Sequence, residues 1–137
     1  MDSIAVLDFG CQYTHQIGEA VRRAGVFSEI LPCETPTKEL ERFGGIILSG
    51  GPESVYGKGS PRCDPKVFSM GKPVLGICYG LQLMAHELGG EVRHTGSGEY
   101  GEGRIRILGR SRLLEGFGDG IVWALAGNGK TIAVEEK

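Results

Sequence analysis

Five residues near the middle of the chain, Gly76-Ile77-Cys78-Tyr79-Gly80, set a thiol between two glycines. The apolar run at 73–77 has the length and β-branched content of a buried parallel strand. After it, Leu81, Met84, Ala85 and Leu88 recur at the i, i+3, i+4, i+7 spacing of a helical face, closed by Gly89-Gly90. A strand therefore turns into a helix at Cys78. The pattern G-x-C-x-G is the thiol form of a nucleophile elbow, a sharp turn that lifts the nucleophile above the sheet and needs glycine where side chains would clash. Unpaired N–H groups and the dipole at the helix start favour the thiolate over the thiol. The N–H of Tyr79 supplies one donor of an oxyanion hole. Most free cysteines are small core residues; the strand before Cys78 and the helix after it favour the nucleophile.

The elements that must position this thiol alternate along the chain. A strand over 3–7 ends at Asp8-Phe9-Gly10, and Tyr13, Ile17, Ala20, Val21 and Ala24 mark one helical face that ends at Gly25. A second strand covers 27–31, a short helix 37–42 with Thr37 as N-cap, and a third strand 45–48 opens into Ser49-Gly50-Gly51-Pro52. A long Gly/Pro/Ser loop then runs to Pro65. Strands alternating with helices predict an open, mostly parallel α/β sheet with right-handed crossovers and helices on both faces. Ligands in such sheets bind outside the carboxyl ends of the strands. Asp8-Phe9-Gly10, Ser49-Gly50-Gly51 and Cys78 all fall at strand C-termini, so three signals converge on one sheet edge. Beyond Gly90, strands over 91–94 and 104–108 bracket a loop at 95–103, and strands at 121–126 and 131–134 complete an antiparallel extension.

Composition narrows the class. At 137 residues the chain is expected to form a single domain, 1–137, and its 24 glycines lie between apolar runs, as tight βα turns require. A net charge of −2 with scattered Lys and Arg leaves no electrostatic footprint for nucleic acid. The cysteines at 11, 33, 63 and 78 form no C-x-x-C pair and no Cys/His group with zinc spacing, so no metal is expected. No apolar run approaches the roughly 18 residues of a spanning helix, and no membrane partner is expected. The reading is a reduced, soluble, cytoplasmic protein.

Taken together, AVLDFGCQYTHQI, GIILSGGPESVY, PVLGICYGLQLMAHELGG and EYG resemble the class I glutamine amidotransferase domain of GMP synthetase. The DFG-x-QYT opening is the feature that points to this branch; the elbow and the Ser-Gly-Gly-Pro turn belong to the whole class. The resemblance covers about residues 4–123 and implies a flavodoxin-like fold. It also implies hydrolysis of glutamine to glutamate and ammonia, and transfer of the ammonia to an ATP-pyrophosphatase synthetase domain or subunit that aminates XMP to GMP. ATP and magnesium would belong to that synthetase part, with no cofactor in this domain. Cys78 matches the family nucleophile, and Gly51 with Tyr79 the backbone oxyanion donors. Gln82, Glu99, Tyr100 and Gly101 match positions that shape the glutamine pocket.

The chain also departs from the family pattern. Cys11 stands where the family usually has Ser, and Gly98 where it has Arg before Glu-Tyr-Gly. After Trp123 the family reads Met-Ser-His-Gly-Asp, against Ala124-Leu125-Ala126-Gly127-Asn128 here. The His-Pro-Glu turn that carries the family's histidine and glutamate has no counterpart, so only Cys78 of the triad is present and the family's C-terminal segment is expected to be missing. His86 lies roughly 12 Å along the elbow helix at 1.5 Å per residue, too far to serve as a base. His15 and His94 match no family base. Residues 124–131, ALAGNGKT, resemble a relaxed phosphate loop but lack room for the helix it needs.

The first expectation is thus a glutaminase component that is inactive as an isolated chain. Its rival is a non-catalytic remnant or partner-binding module with the same fold. A third, an unrelated cysteine hydrolase on the same scaffold, is opposed by DFGCQYT.

Overall fold

A computed structural model describes residues 2–51 and 58–90, together with the strand backbone of 92–94, 99–105, 120–126 and 130–132. The chain divides into two compact units, Met1–Val92 with Ile132–Lys137, and Arg93–Thr131.

The first unit is built on a four-stranded parallel sheet in the order β2-β1-β3-β4. Its strands are β1 (Ser3–Asp8), β2 (Phe27–Pro32), β3 (Gly45–Leu48) and β4 (Val74–Gly76). β1 pairs with β2 and β3 on its two sides, and Ala5, Val6 and Leu7 are fully buried. A strand covered on both faces reads as a continuous apolar run, which is how IAVL appears in the sequence. Helix α1 (Thr14–Arg23) packs on β1 and β2, and α3 (Tyr79–Glu87) on β3 and β4. Crossovers leading outward from β1 to β2 and back past β1 to β3 fall on opposite faces when both are right-handed. The doubly wound parallel sheet inferred from the alternating pattern is present.

Both long helices sit rotated from the faces their apolar residues mark. In α1 the buried residues are Thr14 and Gly18, while Tyr13, Ala20 and Ala24 are exposed. Gly18 faces β2, where a Cβ would meet Ile30 Cδ1 at 3.4 Å, an ordinary contact distance. The Ser28 hydroxyl, also buried, donates to the Gly18 carbonyl at 2.8 Å and accepts from Arg22 Nε at 3.2 Å. Polar groups with partners can be buried, and a count of apolar residues misses them. In α3 the buried set is Tyr79, Gly80, Gln82, Leu83 and Ala85, and Leu88 is 60% exposed. The elbow anchors Tyr79 and Gly80, and that anchor outweighs the 81-84-85-88 stripe.

Helix α2 is shorter than expected, Thr37–Leu40, and Thr37 does not cap it. Pro36 holds the cap position, and the Thr37 N–H donates to Asp64 Oδ2 at 3.5 Å. The same carboxylate accepts from Lys66 N at 3.0 Å and opens a 3₁₀ turn over Pro65–Ser69. β4 is half-buried where its composition predicts a fully buried strand, because among the described strands it has only β3 beside it.

Strand β5 (Val92–His94) pairs with β8 (Lys130–Ile132). The second unit contains the antiparallel pair β6 (Glu99–Ile105) and β7 (Gly120–Ala126). The antiparallel extension is present, but β6 begins at Glu99, inside the stretch 95–103 that its glycines mark as a loop. Its ladder with β7, Glu99 opposite Ala126 through Ile105 opposite Gly120, absorbs Gly101 and Gly103. Tertiary pairing overrides the turn signal of isolated glycines. Strand backbone on both sides of 127–129 also means that no phosphate-loop helix starts at Lys130.

Core packing raises the two buried thiols of the first unit. Burial pushes Cys33 up to about 12 and Cys63 up to about 11. Both raised groups stabilise the fold only while thiols in the unfolded chain stay protonated, below the ordinary value of 9.0. Above it the unfolded state releases protons that the folded state keeps, so stability falls with rising pH. The urea midpoint is expected to drop between about pH 9 and about pH 11, less steeply in a Cys33→Ala/Cys63→Ala variant. Equal slopes would show that burial of these thiols is not what couples stability to alkali.

Candidate active site

The site forms where the carboxyl ends of β1, β3 and β4 meet. β1 lies between β2 and β3 although it precedes both, so the β1/β3 boundary is the point where the strand order reverses. The turn after β1 is held by Asp8, whose Oδ1 accepts from Gly10 N at 2.8 Å and from the Thr14 hydroxyl at 3.1 Å. The turn after β3 is tied to it by Ser49. This fully buried hydroxyl accepts from Phe9 N at 3.0 Å and donates to the Gly50 carbonyl at 3.1 Å, while Ser49 N donates to the Leu7 carbonyl at 3.1 Å. Gly51 fits tightly beside it, since a Cβ there would lie 2.6 Å from the Phe9 carbonyl oxygen.

The elbow itself is as sharp as the G-x-C-x-G spacing requires. Cys78 has φ 51° and ψ −113°, the sole positive-φ non-glycine residue among the described residues. Such a conformation costs of order 1–3 kcal/mol and persists only when the surroundings over-determine it. Here they do. Ile77 N donates to the Leu48 carbonyl at 2.9 Å, and Gly80 N donates to the carbonyls of Ser49 and Ile77 at 3.1 and 2.9 Å. A Cβ on Gly76 would lie 2.7 Å from Leu81 N, and one on Gly80 would collide with the Leu48 carbonyl oxygen. Tyr79 is fully buried, with its ring 5.5 Å from that of Phe9 and its hydroxyl donating to the Pro61 carbonyl.

Cys78 is exposed as a residue and occupies the N-cap of α3. Its ionisation differs from the sequence expectation: burial of part of the thiol, with a smaller contribution from nearby Cys11, pushes it above the ordinary value. Desolvation favours the neutral thiol and so works against the helix start. Tyr79, as the first helical residue, has no carbonyl four residues back within the helix for its N–H. Gln82 lies one turn on, 2% exposed, and its Oε1 has no hydrogen-bond partner among the described residues.

Cys78, Tyr79, Gln82 and Gly51 all belong to the first unit. Glu99, Tyr100 and Gly101 belong to β6 of the second, where their backbone is paired with Ala126, Leu125 and Ala124; their side chains fall outside the described residues. Asp8, Cys11, Thr14 and Ser49 also shape this edge, although sequence pattern alone assigns none of them a role. The D-x-G turn at 8–10 is a local signal for Asp8. The Ser-Gly-Gly-Pro turn marks where Ser49 lies, but nothing local marks its hydrogen bond to Phe9, 40 residues away.

A positive-φ cysteine on a strand-to-helix turn, beside the switch point of a doubly wound sheet, has the geometry of a nucleophile elbow. Glutamine amidotransferase class-I matches residues 5–127, and the chain belongs to that family. Within it the chain is similar to proteins named GMP synthase [glutamine-hydrolyzing]. It is 48% identical to that of Carboxydothermus hydrogenoformans over 118 residues, 85% of this chain and 23% of the relative. With that of Nostoc punctiforme it shares 45% over 131 residues, 93% of this chain and 24% of the relative. The chain thus spans about a quarter of the length of these curated relatives. Its structure resembles that of a GMP synthase subunit from Thermoplasma acidophilum, with TM-score 0.81 and 28% identity over 96% of this chain and 67% of that one. A glutamine amido transferase from Methylobacillus flagellatus shares the fold, with TM-score 0.66 and 19% identity over 97% of this chain and 57% of that one. Among the described residues no helix is long and apolar enough to cross a membrane.

Two outcomes follow from the elbow. Alkylation by iodoacetamide is expected to label Cys78 first, then half-buried Cys11, and Cys33 and Cys63 only after unfolding. The Cys78 rate should keep climbing above neutral pH, because its thiol is raised; a plateau below pH about 7 would mean that the helix start wins. Gly80→Ala is expected to cost about 1–3 kcal/mol, read as a lowered urea midpoint, and to erase the preference for Cys78. An unchanged midpoint would show that the Leu48 contact is not tight.

Proposed function

We propose that this chain is the glutaminase component of a GMP-forming amidotransferase, with glutamine as substrate and Cys78 as nucleophile. The observation that carries the proposal is exposed Cys78 on a positive-φ elbow above the carboxyl edge of the sheet. In this reading the sulfur attacks the side-chain carboxamide carbon of glutamine and the carbonyl oxygen becomes an oxyanion. The N–H groups of Gly51 and Tyr79 receive that charge. A proton reaches the amide nitrogen, ammonia leaves, and water cleaves the thioester to release glutamate.

Gln82 supports the assignment, because a buried acceptor without a partner costs about 1–3 kcal/mol, which an N–H of bound glutamine would recover. By the same family resemblance, Glu99, Tyr100 and Gly101 are proposed as substrate-binding residues. The ammonia passes to an ATP-pyrophosphatase synthetase domain or subunit, which uses ATP and magnesium to aminate XMP to GMP. Relatives named GMP synthase that are about four times as long support such a part.

The chain is further proposed to turn over no glutamine by itself. His86 follows Cys78 by two helical turns, roughly 12 Å at 1.5 Å per residue. His15 lines a groove between α1 and β2, at the sheet edge opposite β4. With the Cys78 thiol raised and no base assigned to it, the tetrahedral intermediate returns to glutamine by expelling sulfur. A positioned base or acid is worth about 10²–10⁴ in rate.

Two measurements test the proposal. Millimolar glutamine is expected to slow iodoacetamide labelling of Cys78 while leaving Cys11 unaffected, and a lack of protection would overturn glutamine as the ligand. A coupled glutamate assay is expected to read no turnover above a Cys78→Ala blank; cysteine-dependent turnover would show that a histidine of this chain reaches the sulfur.

A further inference from the structure

Cys11 has no part in the proposed glutaminase chemistry, yet it stands beside the nucleophile. It lies on the turn after β1 and Cys78 on the turn after β4, and the β3 turn brings them together. The point where a Cβ of Gly50 would stand is 3.2 Å from Cys78 Cβ, 3.4 Å from Cys11 Sγ and 3.8 Å from Cys11 Cβ. Both cysteines therefore press on one spot that glycine leaves empty. Any other residue at position 50 would place a side chain there.

We propose that Cys78 and Cys11 form a reversible intramolecular disulfide, in which Cys11 resolves Cys78 after its oxidation by a hydroperoxide. A disulfide needs Cβ atoms about 3.5–4.5 Å apart and sulfurs about 2.05 Å apart. Cys11 lies on a short solvent-facing turn, in which Gly10, Gln12 and Tyr13 are exposed and the Tyr13 N–H donates to Cys11 Sγ at 3.3 Å. Rotation of the two side chains and a small shift of this turn bring the sulfurs into bonding range. Solvent reaches Cys78 directly and Cys11 partly, whereas Cys33 and Cys63 are buried and do not compete.

The steps balance. The Cys78 thiolate attacks one peroxide oxygen, the O–O bond breaks, and the departing hydroxide takes up the proton the thiol released. This leaves a sulfenic acid and one water. The Cys11 sulfur then attacks the Cys78 sulfur, the S–O bond breaks, and the hydroxyl leaves with the Cys11 proton as a second water. Two thiols lose two electrons and the peroxide gains them. An external dithiol reverses the link by exchange. The bond itself does not depend on the glutaminase reading, but its consequence does: a nucleophile tied to Cys11 cannot attack glutamine.

The test treats the reduced, purified chain with stoichiometric hydrogen peroxide and maps its peptides without reduction. The expected result is a peptide pair joined through Cys11 and Cys78, loss of two of the four free thiols, a monomer on a non-reducing gel, and full recovery with dithiothreitol. Cys11→Ser removes one sulfur at nearly constant shape, and its circular dichroism is expected to match the parent. Oxidised Cys78 in that variant is expected to be trapped by dimedone in roughly tenfold higher yield than in the parent. Equal trapping in the two chains, or a link from Cys78 to Cys33, Cys63 or a second chain, would overturn the proposal.

Discussion

The missing side chain of Gly80 is the constraint on which the candidate site depends. Its α carbon rests against Leu48, and its N–H donates to both the Ser49 and the Ile77 carbonyls. A side chain at this point would push α3 off the end of β3. With α3 held there, the chain from β4 has only Ile77 and Cys78 in which to reverse, and Cys78 takes positive φ. The strain is distributed over the Ile77–Leu48 hydrogen bond, the buried Tyr79 ring and its contact with Phe9. Cys78 is thus held by its neighbours on both sides and by nothing of its own.

That mounting has an electrostatic consequence. A helix N-terminus favours a thiolate, while partial burial and, to a smaller extent, nearby Cys11 favour the neutral form and raise Cys78. Exposure therefore decides which of the four cysteines reacts, with Cys33 and Cys63 removed from competition by burial.

Buried polar side chains knit the first unit at positions that hydropathy leaves blank. Ser49 joins the turns after β1 and β3, Ser28 joins β2 to α1, and Thr14 joins α1 to Asp8. Each has its partners, so each is inexpensive to bury. Gln82 is the exception among the described residues, with an acceptor left over one turn from the nucleophile.

Local pattern carried much of this in the sequence itself. The alternation of apolar runs with helical spacing determined the parallel sheet, because a strand buried on both faces needs the continuous apolar composition of IAVL and GIIL. The glycines flanking Cys78 determined the elbow, because only glycine tolerates the backbone approach. What tertiary structure decided has in each case a partner distant in sequence. The rotation of α1 and α3 came from Ser28 and Leu48, the capping of α2 from Asp64, and the extension of β6 to Glu99 from β7. The ionisation of Cys78 and its closeness to Cys11 were decided in the same way, because burial and proximity exist only once three separate turns have met at one sheet edge.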